Sequence, residues 1–108
     1  MQGRRLLLTA CIAALSTGVA AQEGDAKAAE SKLSMCIGCH GIPGYKTAFP
    51  DVYPVPKLGG QHADYIVLAL KSYKSGDRSH PSMQAIAESL SEQDMADLAA
   101  YYGAGVEQ

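Results

Sequence analysis

The stretch Cys36-Ile37-Gly38-Cys39-His40 is the most informative part of this sequence. Two cysteines three positions apart, followed at once by a histidine, form the C-x-x-C-H signature of covalent haem attachment. Cys36 and Cys39 are spaced to form thioethers with the two vinyl groups of a haem, and His40 follows closely enough to bind the iron as the proximal ligand. The motif therefore predicts one covalently bound haem c and its iron.

Two other uses of the motif are less consistent with the sequence. A structural zinc site needs four ligands, and adjacent Cys39 and His40 do not readily share one tetrahedral ion. His62 and His80 do not supply the usual spacing of a second ligand pair. A thioredoxin-like redox pair requires a strand–helix context, which the surrounding sequence does not predict. Haem attachment is therefore the favoured interpretation.

Residues 1–21 are typical of a signal peptide. Arg4 and Arg5 form a positive beginning, residues 6–15 are almost wholly apolar, and small residues at 19–21 precede Gln22. This order suits cleavage by signal peptidase. We therefore expect residues 22–108 to form the folded domain, exported to the periplasm.

Two alternatives for the leader remain open. The apolar run over 6–21 is shorter than the roughly 20 residues of a spanning helix, which makes an uncleaved membrane anchor the minor alternative. Residues 8–11 resemble a lipoprotein box, but cleavage there would leave an apolar stretch after Cys11. We therefore expect no stable membrane span once the leader is removed.

Size and charge narrow the possible partners. Without the leader about 87 residues remain, a marginal size for a core that has no disulfide or cofactor. Only Cys36 and Cys39 would remain, which excludes a framework of several disulfides. The net charge is −2, and it becomes −4 without Arg4 and Arg5. No basic stripe is present, so nucleic acid is not an expected partner.

Hydrophobic spacing predicts an all-α domain with four helical segments. They cover about 25–35, 61–75 and 83–90, and the fourth follows Ser91. Gly76 is a plausible end of the second helix. The stretch from Ser91 to Asp94 has the pattern of a capping box. Between His40 and Gln61 prolines and glycines predict neither helix nor central strand, but a long loop packed on the haem.

The sixth iron ligand is sought among the methionines, because a Met thioether is typical of electron carriers. Met35 precedes Cys36 and is restricted to the proximal side. Met95 lies in the apolar stripe of the last helix and is expected in the core. Met83 lies at a loop-to-helix junction well after the attachment motif, so the chain can return there on the other face of the haem. Met83 is therefore the favoured distal ligand, and His80 is the main alternative ligand.

The sequence resembles small class I bacterial c-type cytochromes, in particular a single domain of the cytochrome c4 and cytochrome c553 group. The resemblance covers nearly all of residues 22–108. It rests on the stretches 36–41, 56–62, 71–78 and 90–102, and on Met83 at the position of the family's axial methionine. Together these motifs are highly specific.

The resemblance implies further features. The fold would be that of a monohaem class I cytochrome c, with about four helices wrapped around one haem. The carbonyl of Pro56 would accept the Nδ1–H of His40 and so fix the orientation of the ring. Arg78, Tyr45 and Tyr53 are candidates for contact with the haem propionates, but each is equally plausible as a surface residue. Two-haem members of the family carry two such domains, whereas this sequence carries one.

Two classes of function follow. A non-enzymatic electron carrier would cycle its iron between Fe(III) and Fe(II) and meet redox protein donors and acceptors through small interfaces. A haem enzyme or gas-binding protein would need an open sixth position, which ligation by Met83 would close. The domain also suits the cytochrome subunit of a dehydrogenase or oxidase complex. The electron carrier is the favoured prediction.

Overall fold

A computed structural model describes residues 22–49 and 51–105, and the predicted leader lies outside these ranges. Within the two ranges the chain forms five α-helices and one short hairpin. In chain order the elements are α1 (Ala26–Ala29), a 3-10 turn (Glu30–Lys32), α2 (Ser34–His40), β1 (Lys46–Thr47), β2 (Tyr53–Pro54), α3 (Ala63–Ser75), α4 (Pro81–Glu88) and α5 (Glu92–Gly103). The predicted all-α class is confirmed. None of these described helices is both long and apolar enough to cross a membrane.

The helix predicted over about 25–35 is interrupted, which is why the structure has five helices and not four. α1 ends at Ala29, the chain tightens into the 3-10 turn, and α2 begins at Ser34. The hydroxyl of Ser31 donates a hydrogen bond to the carbonyl oxygen of Ala28 at 3.1 Å. This bond competes with the backbone N–H that would continue an α-helix at that carbonyl.

The other helices begin and end where local signals place them. α3 ends before Gly76, which has the left-handed conformation with φ of 87° that glycine tolerates best. α4 begins at Pro81, two residues earlier than predicted, because proline suits the first helical position. The predicted capping box of α5 is present: Asp94 N–H donates to the Ser91 hydroxyl at 3.0 Å, and Ser91 N–H donates to the Asp94 carboxylate at 2.8 Å.

A small hairpin lies in the segment where no strand was predicted. β1 and β2 are antiparallel, with Lys46 opposite Pro54 and Thr47 opposite Tyr53. The Thr47 hydroxyl also donates to the carbonyl of Asp51 at 3.1 Å. Pro54 is compatible with a strand here because the sheet has only two strands, so a missing N–H donor interrupts no central ladder.

The core forms around α5, which packs against both α1 and α3. The buried apolar side chains of this cluster are Ala29, Ile66, Leu90, Met95, Leu98, Ala99 and Tyr102. The chain approaches α5 most closely just before α1, where a Cβ added to Gly24 would collide with the carbonyl oxygen of Ala96. The absence of a side chain at Gly24 therefore lets the first described segment lie directly on the last helix.

A buried carboxylate fixes the beginning of the domain to α5. Asp97 is only 2% exposed and accepts hydrogen bonds from the backbone N–H of Asp25 at 2.8 Å, from Lys32 Nζ at 2.9 Å and from Gln93 Nε2 at 2.8 Å. These donors, the Asp25 N–H first, lower the pKa of Asp97. Lys32 also pairs with Asp94 at 2.6 Å, and this contact, together with hydrogen bonds from Ser91, lowers the pKa of the Asp94 carboxyl to about 2. Both carboxyls are therefore ionised at neutral pH.

Candidate haem site

Helix α2 carries the whole attachment motif. Cys36 and Cys39 are three residues apart and lie on neighbouring positions of one helix face. Cys36 is half-buried, Cys39 is exposed, and both are free thiols in this structure. His40 is the last residue of the helix. It is followed by Gly41, where a Cβ would lie only 2.7 Å from the carbonyl oxygen of Ile37. The tight end of α2 thus turns the chain away directly after the histidine.

The ring of His40 is oriented by a contact with the backbone. Its Nδ1 lies 2.7 Å from the carbonyl oxygen of Pro56. A carbonyl can only accept a hydrogen bond, so Nδ1 carries the proton and donates it. In a neutral imidazole the other nitrogen, Nε2, then has a free lone pair. His40 is therefore held in the tautomer that can bind a metal ion through Nε2.

A cavity of about 660 Å³ opens beside α2. Its walls come from α2, the hairpin and the segment after it, and from α3, α4 and α5. The lining is mainly apolar or aromatic; examples are Val55, Leu58, Ile66, Leu70, Ile86, Leu90 and Leu98. This volume lies within the range of about 300–1,000 Å³ for sites that enclose small organic molecules and cofactors.

The methionines have different positions relative to this cavity. Met83 lies in the first turn of α4 and lines the cavity from an element far from α2 in the sequence. Met35, on α2 itself, also lines it, and its sulfur lies 3.8 Å from the Ser89 hydroxyl. Met95 is 1% exposed and belongs to the core around α5. Met83 is thus the methionine that can reach a bound group from outside the attachment helix.

His80 also lines the cavity, but one of its nitrogens is engaged. Its Nδ1 accepts the backbone N–H of Met83 at 3.4 Å, which makes His80 the N-cap of α4. In a neutral ring the proton is then on Nε2. The ring also packs edge-on against Tyr53, with centroids 5.2 Å apart. In this arrangement neither nitrogen of a neutral His80 has a free lone pair for a metal ion.

Arg78 brings positive charge to the wall of the cavity. Its guanidinium lies 4.7 Å from the ring centroid of Tyr73, and its Nη1 lies 3.5 Å from the hydroxyl of Tyr65. None of the described residues that line the cavity is an aspartate or a glutamate. The wall that contains Arg78 therefore favours an anionic group over a cationic one.

Comparison with known proteins identifies this arrangement. The family model described as "Cytochrome c" matches residues 26–102, from the first residue of α1 to the last but one of α5. The chain belongs to the cytochrome c family. Cytochromes c of this family carry covalently bound haem c with its iron, so this cytochrome is an electron-transfer haem protein with an all-α fold.

Individual relatives give a closer placement. Cytochrome c-554(548) of Halomonas halodenitrificans is 42% identical over 82 residues, which cover 73% of this chain and 94% of that protein. Cytochrome c4 of Pseudomonas aeruginosa is 37% identical over 98 residues, which cover 91% of this chain but 47% of that protein. The cytochrome subunit of sulfide dehydrogenase of Chlorobaculum tepidum is 30% identical over 102 residues, 91% of this chain and 88% of that protein.

These relatives place the chain among class I c-type cytochromes of the c4 group. The chain spans nearly the whole length of the Halomonas protein and about half the length of the cytochrome c4 relative. The Halomonas and Pseudomonas relatives are both named as cytochromes, which are electron carriers and not enzymes. The cytochrome is accordingly classed as an electron carrier.

The donor groups present fit a covalently bound haem. Two thiols on α2 are available for thioethers, an imidazole has a free Nε2, and a Met thioether is present on α4. The apolar walls suit a flat macrocycle, and Arg78 suits its anionic propionates. When bound, haem supplies an iron that accepts and releases one electron. Cys36, Cys39, His40 and Met83 of this cytochrome would hold that group, and the apolar walls of the cavity would limit its contact with water.

The structure brings the five predicted site residues to one place. Cys36, Cys39, His40, Pro56 and Met83 all line the large cavity.

Three further residues were considered for contact with the haem propionates. Arg78 and Tyr53 also line the cavity, whereas Tyr45, which lies just before β1, does not. The sequence did not predict that Tyr102, near the end of α5, also lines this cavity.

Proposed function

We propose that this cytochrome transfers single electrons between redox proteins in the periplasm, with its haem iron bound by His40 and Met83. The observation that carries the proposal is the common cavity. Its wall contains the attachment helix with Cys36, Cys39 and His40, and also Met83 from a helix that follows much later in the chain. Such a pair of ligands would close the iron to other molecules.

The ligand assignment is supported by the contacts around each side chain. The hydrogen bond from His40 to Pro56 leaves Nε2 free and would strengthen its donation to iron. A thioether is a soft ligand that favours Fe(II), so Met83 would raise the reduction potential relative to a second histidine. Neutral His80 caps α4 through Nδ1 and carries its proton on Nε2, so it is poorly prepared to replace Met83.

The periplasmic location is supported by the sequence of residues 1–21. Their charge, apolar run and small residues have the order of an exported leader. C-type haem attachment in bacteria also takes place outside the cytoplasm. An N-terminal sequence of the purified holoprotein that begins near Gln22 would support cleavage, and one that retains Arg4 and Arg5 would contradict it.

Electron exchange would take place where the cavity reaches the surface. Cys39 is exposed, and three cavity-lining side chains are also at least 40% exposed: Met35, Tyr53 and Tyr65. A haem bound at Cys39 would thus approach solvent along one edge. Redox proteins that dock only briefly typically do so through small interfaces.

An optical spectrum of the purified holoprotein tests the proposal. We expect the ferric protein to show the weak long-wavelength absorption band of Met-ligated haem, and the ferrous protein to resist carbon monoxide. Absence of that band together with rapid carbon monoxide binding would show an open iron and contradict the electron-carrier proposal. A plain apo spectrum from cells that mature other c-type cytochromes would contradict attachment at Cys36 and Cys39.

A second candidate is supported by one relative. The Chlorobaculum protein, of which the chain covers 88%, is named as the cytochrome subunit of a sulfide dehydrogenase. By analogy this cytochrome would receive electrons as a subunit of a dehydrogenase complex. Native purification from the source cells distinguishes the two functions, because a subunit would co-elute with a larger catalytic protein and a free carrier would elute alone.

A further inference from the structure

The hydroxyl of Tyr102 is buried without a partner. The side chain is 1% exposed, and its oxygen has no hydrogen bond to any described residue. Buried polar groups in proteins are nearly always hydrogen-bonded. Since the ring of Tyr102 lines the haem cavity, the missing partner is to be sought at that wall.

Cys36 lines the same cavity and packs against the buried cluster that contains Tyr102. Burial raises the pKa of Tyr102, and the adjacent Cys36 raises it further. Burial also raises the pKa of the Cys36 thiol, whereas the Tyr102 hydroxyl opposes that rise. The two side chains thus share one wall of the cavity and one packed cluster, and no hydrogen bond joins them in the free thiol form.

We infer that Tyr102 donates its hydroxyl proton to the sulfur of Cys36 once that sulfur is part of the haem thioether. A free thiol can act as donor or acceptor, so its hydrogen bond with a tyrosine has no fixed direction. A thioether sulfur has no hydrogen and can only accept. Covalent attachment would thus leave Tyr102 as the only possible donor of the pair. This inference rests on the proposed attachment at Cys36.

The expected consequence is a higher reduction potential. A hydrogen bond to the thioether sulfur draws electron density away from the edge of the haem that carries it, which favours the reduced iron. Tyr102 would act through Cys36 and not on the iron directly, so it is a positioning residue. The effect resembles that of other hydrogen bonds to groups that hold a metal centre.

The test compares two tyrosines of α5 in the holoprotein. Tyr102→Phe removes the hydroxyl and keeps the ring, and we expect the midpoint potential to shift downwards in a spectroelectrochemical titration. Tyr101→Phe is the matched control, because Tyr101 packs edge-on against Tyr102 at 5.1 Å but does not line the cavity. Its potential should equal that of the wild type. An unchanged potential in Tyr102→Phe, or an equal shift in both variants, overturns the inference.

Two further measurements test the hydrogen bond and the haem attachment separately. In the ferrous wild type, proton NMR should show a slowly exchanging Tyr102 hydroxyl proton close in space to the Cβ protons of Cys36. This measurement decides the inference even if Tyr102→Phe yields no holoprotein, and absence of the proton or of its proximity overturns it. Mass spectrometry of the haem-carrying peptide reports attachment at Cys36 independently, so a failure of the proposed attachment is recognised as such.

Discussion

The orientation of His40 depends on one backbone acceptor. The carbonyl oxygen of Pro56, 2.7 Å from Nδ1, decides which ring nitrogen carries the proton and therefore which can bind iron. A proline is well suited to this position because its ring restricts the backbone that presents the carbonyl. The two residues are 16 positions apart, so the contact also fixes the end of α2 to the segment after the hairpin.

At the residue scale, Met83→Ala should leave the sixth coordination position of the haem iron open. In the proposed ligation, loss of the Met83 thioether removes a ligand that favours Fe(II), so we expect the long-wavelength ferric band to disappear and ferrous protein to bind carbon monoxide. The potential should fall by at least about 0.1 V, a small part of the roughly 0.8 V range set by axial ligands. Absorption spectra and a redox titration measure these changes.

Met95→Leu provides the matched control for this prediction. Met95 is buried in the core and does not line the cavity, so the band should persist. Met35→Leu tests the other cavity-lining methionine. Loss of the band in Met35→Leu with its retention in Met83→Ala would reverse the ligand assignment.

At the element scale, the contact between the first helical segment and α5 is electrostatic as well as apolar. Lys32, from the 3-10 turn, reaches both Asp94 and Asp97 on α5. Lys32 first, and then hydrogen bonds from Ser91, lower the pKa of Asp94 to about 2. The pKa of Asp97 is also lowered, first by the Asp25 N–H and then by Lys32. A carboxyl with a lowered pKa in the folded state stabilises that state above its ordinary pKa. This stability is lost as pH falls towards the folded-state value.

We therefore expect the Lys32 contacts to stabilise the holoprotein fully above about pH 4 and to lose their effect between about pH 4 and pH 2. Lys32→Met should lower the free energy of unfolding at neutral pH, by an amount that solvent screening keeps small. The difference between variant and wild type should shrink across that acid range. Denaturant unfolding followed by circular dichroism at several pH values measures it.

Lys27→Met is the control for the acid prediction. Lys27 pairs with Glu30 at 3.2 Å, but the two side chains are 84% and 55% exposed, so the pair contributes little. Its loss should leave both the stability and its pH dependence nearly unchanged. Equal pH profiles for Lys32→Met and the wild type would show that the lowered carboxyl pKa values have another origin.

Local signals predicted some boundaries of elements correctly and missed others. Gly76 and the Ser91–Asp94 capping box depend on residues close in sequence, so they were predicted correctly. The interruption at the 3-10 turn depends on the hydrogen bond from the Ser31 hydroxyl to the Ala28 carbonyl. The spacing of apolar residues gives no information about that bond. The burial of Asp97 was not predicted because its partners include a backbone N–H 72 residues away.

The candidate site was largely predictable because its chemistry is concentrated in a short motif. Cys36, Cys39 and His40 follow one another on one helix, and Met83 was reached by elimination among few methionines. The role of Pro56 came only from the family resemblance, since a backbone acceptor leaves no signal in its side chain. The unpartnered hydroxyl of Tyr102 could not be predicted, because an aromatic residue in an apolar stripe gives no sign of where its oxygen points.

At the scale of the whole molecule, the cavity separates the attachment helix from much of the remaining fold. A space of about 660 Å³ lies among α2, α3, α4 and α5, so several walls depend on the group that fills it. The apolar core around α5 is small and draws on few residues. A cofactor or a cross-link often adds to the stability of a small domain whose core is limited.

We expect the double variant Cys36→Ala/Cys39→Ala, which cannot attach haem, to lose cooperative thermal unfolding. Circular dichroism against temperature should show a broad, shallow change where the holoprotein gives a sharp transition. Added free haem should restore part of the transition, because His40 and Met83 remain. A sharp transition at the holoprotein's temperature without haem would show that the polypeptide alone forms the fold.

The hydrogen bond between the Asp25 N–H and the Asp97 carboxylate also has a kinetic consequence. It joins residues 72 positions apart, and the segment it encloses contains the cavity-lining residues as far as Leu90. Contacts of such long sequence separation close a large loop and form slowly compared with local helices. We therefore expect the meeting of α1 with α5 to limit the folding rate, with a haem already attached to α2 carried inside the closing loop.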